Sequence, residues 1–141
     1  MIKFRASFTP TRTVQRRTRD ASRRVGNRFG AYVRTVARRS IRKSKRSSLP
    51  GSPPRNRTGS LRNFIRFAYE PAERRVYIGP AILPGKTKSL PGALELGGTV
   101  VVKNKKTKKR VKQKVAARPY MLPALEESLP QLPELWKNSI R

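Results

Sequence analysis

From residue 11 to residue 40 the apolar positions recur at helical spacing. At about 100° per residue, Val14, Ala21, Val25, Phe29, Tyr32 and Val36 fall within roughly 40° of one direction. Arg12, Arg16, Arg19, Arg23, Arg34 and Arg38 fall on the far side. The pattern predicts one amphipathic helix of about eight turns. Gly26 and Gly30 interrupt it, each weakening the helix by ~1 kcal/mol relative to Ala. Beyond it the periodicity stops. Ser44, Ser47, Ser48, Pro50-Gly51 and Pro53-Pro54 mark residues 43–57 as a linker or mobile arm.

A second set of shorter patterns follows. Thr58 or Ser60 is positioned to cap a short helical turn carrying Leu61, Phe64 and Ile65. Two β-prone runs, 64–69 and 75–78, flank Glu70-Pro71-Ala72-Glu73, which reads as a four-residue hairpin turn. Residues 80–92 read as a loop. Residues 93–98 read as a helical turn closed by glycine. The β run at 99–102 pairs with the stretch around Val111 and Val115 to predict a second hairpin, with its tip at 105–109. Leu122, Leu125, Leu129, Leu132, Leu135, Trp136 and Ile140 then give a spacing close to three or four. Pro130 and Pro133 interrupt them, so a kinked or two-piece helix is expected. These elements add up to an α+β fold: a long N-terminal amphipathic helix, a small antiparallel or mixed sheet with hairpins, and a kinked C-terminal helix. The organisation expected is a single domain, with a basic helix and linker arm at 1–57 and an α+β body at 58–141.

Charge changes this picture most. The 141 residues include 35 Lys/Arg, 7 Asp/Glu, no His and no Cys, for a net charge of +28. Residues 1–57 carry 18 Lys/Arg against one acid, Asp20, and residues 103–118 carry nine bases and no acid. Two basic blocks therefore flank a nearly neutral body. The arginine face of the long helix cannot turn inward, because burying unpaired guanidinium groups is prohibitive. It faces water, acidic protein or phosphate. The second block, with Lys105, Lys106, Lys108, Lys109 and Arg110, projects from its own hairpin because like charges repel. A chain this basic points to a polyanion, and nucleic acid is the default.

Catalytic chemistry is not expected. Without Cys there are no disulfides, thiol nucleophiles or thiolate-bound metals, and without His the usual neutral-pH general base is missing. Gly85-Lys86-Thr87 resembles the end of a phosphate-binding loop, but its spacing from Gly79 is wrong, and Pro80 and Pro84 remove backbone donors such a loop needs. Glu95, bracketed by Leu94 and Leu96, is expected to be a partly buried acid paired with an arginine. The basic tracts also match nuclear-localisation and transit-peptide composition, patterns common by chance in so basic a chain. No enzyme, cofactor or metal is implied, and no apolar run approaches the ~20 residues that span a bilayer.

The order of the pieces resembles a known family. Thr58-Gly59-Ser60-Leu61 precedes a hairpin ending in Val76-Tyr77-Ile78-Gly79-Pro80. Leu94-Glu95-Leu96-Gly97 follows, and then Ala117-Arg118-Pro119-Tyr120-Met121-Leu122-Pro123-Ala124-Leu125 opens the last helix. This arrangement resembles the neck and tail-completion (head–tail joining) proteins of long-tailed bacteriophages, over about residues 55–140 plus the preceding long helix. The resemblance implies an α+β subunit of the virion, made in the bacterial host cytoplasm. It implies a homo-oligomeric ring between the capsid portal complex and the tail, with double-stranded DNA passing through it. Adjacent connector and tail proteins would be its partners, DNA would be contacted without regard to sequence, and no membrane would be involved. The stripes Val25, Phe29, Tyr32, Val36 and Leu125, Leu129, Leu132, Trp136 are candidates for packing between subunits or onto the subunit's own sheet. A free basic nucleic-acid-binding protein of ribosomal or chromatin type is the alternative.

Overall fold

The computed structural model describes residues 11–81, 90–103, 109–137 and 139. Its dominant element is the predicted helix α1, Thr11–Ser40. The buried residues of α1 are Ala21, Val25, Phe29, Val33 and Ala37, with Gly26 and Gly30. They advance by four, so the buried line gains about 40° per step and winds around the helix. The stripe read from sequence holds at Ala21, Val25 and Phe29. It then drifts off the core: Tyr32 is exposed and Val36 only half-buried, while Val33 and Ala37 take the interior positions. Val14 is also exposed.

The winding line follows what α1 meets. It packs on a hairpin of β3, Ile65–Glu70, and β4, Arg75–Pro80, and also on α4, Met121–Ser128, and α5, Leu132–Trp136. In the hairpin, Phe67 lies opposite Ile78 and Tyr69 opposite Val76, so one face is apolar and turns toward α1. Gly26 and Gly30 are where the two meet. A Cβ on Gly26 would lie 2.7 Å from Tyr69 Cδ2, and one on Gly30 would lie 2.7 Å from Phe67 Cδ2. The two glycines that look like helix weaknesses in the sequence form a notch for aromatic rings.

The remaining elements are short. β1, Arg42–Lys43, pairs in parallel with β2, Arg55–Asn56. α2, Ser60–Phe64, starts from Gly59 in the left-handed region, and the Thr58 hydroxyl oxygen accepts the Ser60 N–H at its start at 3.4 Å. α3, Leu90–Leu96, ends at Gly97 with φ +79°, as the glycine closure predicted. β5, Gly98–Lys103, and β6, Arg110–Val115, form the second hairpin; the predicted tip residues Lys105, Lys106 and Lys108 lie outside the described residues. At the C-terminus the two-piece helix is present, with a 3₁₀ turn, Leu129–Gln131, between α4 and α5. The fold is α+β. Among the described residues the strands make three separate two-stranded ladders rather than one small sheet.

The core gathers Ala37, Ile41, Leu61, Ile65, Tyr120 and Ala124, with Val36, Phe64, Leu94 and Met121 packed around them. It draws on both sides of the expected boundary at residue 57. Residues 43–57, read as a linker or mobile arm, are tied down: Ser48 and Pro54 are buried, the Gly51 N–H donates to the Ala117 carbonyl at 2.8 Å, and Arg118 Nε donates to the Ser48 carbonyl at 3.1 Å.

Candidate polyanion-binding surface

Arginines on α1 divide into two groups. Arg12, Arg16, Arg19 and Arg23 are exposed on the first half of the helix. Arg34 and Arg38 fold down onto the body. The Arg34 guanidinium stacks 5.0 Å from the centroid of the Phe67 ring. Arg38 Nη2 donates to the carbonyls of Asn63 and Ile65, both at 3.0 Å. These two therefore hold structure while carrying charge, and the buried Nε of each lacks a hydrogen-bond partner among the described residues.

Arg38 is the centre of a cationic cluster. Desolvation holds its guanidinium below the ordinary arginine value, and Arg34, Arg66 and Arg62 push it further in the same direction. It remains a cation at neutral pH. Beside it lies a polar cleft of about 310 Å³, lined by Arg38, Arg42, Lys43 and Arg62 together with Asn56, Thr58 and Asn63. Among the described residues the cleft has four cations and no acid. The β1–β2 pairing sets Arg42 directly opposite Arg55, a like-charge pair that destabilises a ladder. Counter-charge is scarce across the surface: among the described residues the ion pairs are Arg75–Glu73 at 3.1 Å and Lys137–Glu134 at 3.8 Å, all four side chains well exposed. A phosphate backbone laid against these cations would relieve this repulsion and release condensed counterions, so such a contact would weaken as salt rises.

The β5–β6 hairpin adds a third patch. Residues directly opposite share a face, so Thr99/Lys114, Val101/Lys112 and Lys103/Arg110 form a cationic face. Lys109 and Arg110 are exposed at the start of β6. Arg42 and Lys43 belong to the first basic block, but Arg62 and Arg66 are not distinguished by charge density in the sequence. Arg42 follows Arg38 by one helical turn past the end of α1, and Arg62 and Arg66 come from the nearly neutral body. The fold brings them together.

The predicted packing stripes are placed as follows. Val25 and Phe29 are buried within their own chain, and Val36 is half-buried against the core. Tyr32, Leu125, Leu129 and Trp136 are exposed, and Leu132 is half-buried.

Glu95 has different partners from those expected. Its carboxylate accepts the backbone N–H groups of Tyr120 (3.0 Å), Met121 (3.1 Å) and Leu122 (2.8 Å), so it caps the first turn of α4 from another element. Capping replaces the expected arginine pair because these N–H groups begin a helix and have no carbonyl of their own to meet. The adjacent Arg118 N–H donates to the Leu94 carbonyl at 2.6 Å. Burial raises the Tyr120 phenol above its ordinary range, and Glu95 adds a smaller push. Among the described residues no three His, Cys, Asp or Glu side chains gather as metal ligands, and no described helix is long and apolar enough to cross a membrane. No protein-family model, curated protein or solved structure matches the chain.

Proposed function

We propose that this chain is a structural subunit of the neck of a long-tailed bacteriophage virion. In this reading copies of the chain form a ring between the capsid portal complex and the tail, beside other connector and tail proteins. DNA runs through the ring and is contacted by charge alone. The role is positional, not catalytic.

One observation carries the reading: the residues behind the family resemblance belong to one piece of structure. Leu61, from Thr58-Gly59-Ser60-Leu61, packs in the core with Tyr120 and Ala124 from the Ala117–Leu125 stretch. Glu95, from Leu94-Glu95-Leu96-Gly97, caps the helix that this same stretch opens. Val76 and Ile78, from the strand motif, line a groove with Glu95, Met121 and Leu122. Motifs scattered between Thr58 and Leu125 are thus a mutually supporting set. The acid-free cleft and the arginine ridge supply the phosphate contacts that a DNA channel needs.

Electron microscopy of the purified chain without nucleic acid, with mass measurement in solution, tests the reading. Closed rings that bind duplexes of unrelated sequence equally support it. A monomer that binds RNA tightly at moderate salt and never forms rings would overturn it in favour of a free nucleic-acid-binding protein.

A further inference from the structure

Two apolar surfaces on different parts of the molecule are left uncovered among the described residues. The first is a groove along α1. Phe29 and Val33 form its floor, Val76 and Ile78 of β4 one wall, and Met121, Leu122 and Leu125 of α4 the other; its volume is about 400 Å³. It continues past Phe29 and Val76 toward Leu132 and Trp136 as a second hollow of about 470 Å³. Leu122 is 56% exposed, so the apolar wall is open to solvent. β4 pairs only with β3 among the described residues, which leaves its other edge unpaired beside this space.

The second surface is on the β5–β6 hairpin. Val100, Val102, Val111 and Val115 share the face opposite the lysines. Val100 is 1% exposed, so the base of this face is covered by the body, whereas the directly opposed Val102 and Val111 are 38% and 50% exposed. No described residue of the hairpin lines the groove of its own subunit.

Charge matches the two surfaces. The α4–α5 wall, residues 121–137, holds Glu126, Glu127 and Glu134 against Lys137, making it a net-negative stretch in a chain of net charge +28. The hairpin brings Lys103, Lys109, Arg110, Lys112 and Lys114 and no acid. Those lysines lie about one sheet thickness from the seated face, within a Debye length of ~10 Å at ordinary salt. A second copy of this chain therefore supplies both the apolar and the electrostatic complement.

We infer that the β5–β6 hairpin of one subunit docks by its Val102/Val111 face in the groove between α1, β4 and α4–α5 of the next subunit. The contact joins two different surfaces, so it propagates head to tail and closes into a ring when the rotation allows. It deepens the ring proposed above and rests on that reading. Seated this way, the hairpin turns its Lys103, Arg110, Lys112 and Lys114 face away from the neighbour, free to meet phosphate.

The chain lacks cysteine, so introduced thiols report contacts cleanly. Val111→Cys and Leu125→Cys chains, mixed and gently oxidised, should form the mixed disulfide in preference to a control mixture of Val111→Cys with Tyr77→Cys. The Val102→Asp/Val111→Asp double variant changes exposed positions, so it should keep its circular dichroism while association weakens about tenfold or more. Rings that form without the selective cross-link, or that survive the double variant, overturn the docking and leave the ring reading standing. The selective cross-link in open filaments supports the docking and counts against a closed ring. A cross-link within single chains of the doubly substituted Val111→Cys/Leu125→Cys protein, or a monomer with no cross-link at all, overturns the docking.

Discussion

Glu95 holds three backbone donors at the start of α4, and two of the residues it caps, Tyr120 and Met121, belong to the core or pack against it. Glu95→Ala strands those donors and should destabilise the protein by about 2–4 kcal/mol in denaturant unfolding, while Glu95→Gln, which keeps one acceptor, should cost less. The neighbouring Tyr120 gives a pH dependence. Its phenol titrates above the ordinary value of about 10 when folded, so the unfolded chain loses that proton first. The stability present at neutral pH is therefore lost as pH rises past about 10. Tyr120→Phe should flatten the fall in melting temperature as pH rises above about 10. In the sequence Glu95 stands out because leucines flank it. Its partner does not, because backbone N–H groups leave no mark on composition, and the helix they open lies 25 residues downstream of the carboxylate.

Whole elements were the most legible part of the chain. The long helix, both hairpins and the proline-broken C-terminal helix come from local patterns of period 3.6 or 2 and from turn residues. The facing of α1 was legible only over its first half. A single stripe direction assumes a straight partner, whereas α1 passes from the hairpin and α5 toward the core with α4, and its buried line turns to follow. The glycine notch depends on the same tertiary contact. Gly30→Ala gains ~1 kcal/mol of helix propensity but drives a methyl group into the Phe67 ring, and overpacking of that kind typically costs about 1–3 kcal/mol. It should lower the melting temperature. Asn27→Ala, on the exposed side of the same helix, should leave it unchanged or raise it.

At the scale of the whole molecule, the sequence locates the excess charge but not its concentration into the cleft of Arg38, Arg42, Lys43 and Arg62. Nor does it separate arginines that hold structure from those that do not. Arg34 stacks on Phe67, so reversing it would confound binding with folding. Arg12, Arg16 and Arg23 are exposed and serve as the test set. Changing all three to Glu should leave the melting transition in place and weaken DNA binding equally across sequences. In a salt titration, the slope of log affinity against log salt should shrink by about 0.9 for each phosphate that is no longer neutralised.

The ladders of β3–β4 and β5–β6 each end, within the described residues, in strands with no further neighbour. Open strand edges invite stacking between copies, and charged side chains, lysine above all, are a recognised guard against it. On this chain the strand bearing Lys112 and Lys114 is itself such an edge. Its ammonium groups repel the same edge of another copy without hindering the valine face, so that neutralising them too early would yield tangled, edge-paired aggregate instead of ordered assembly.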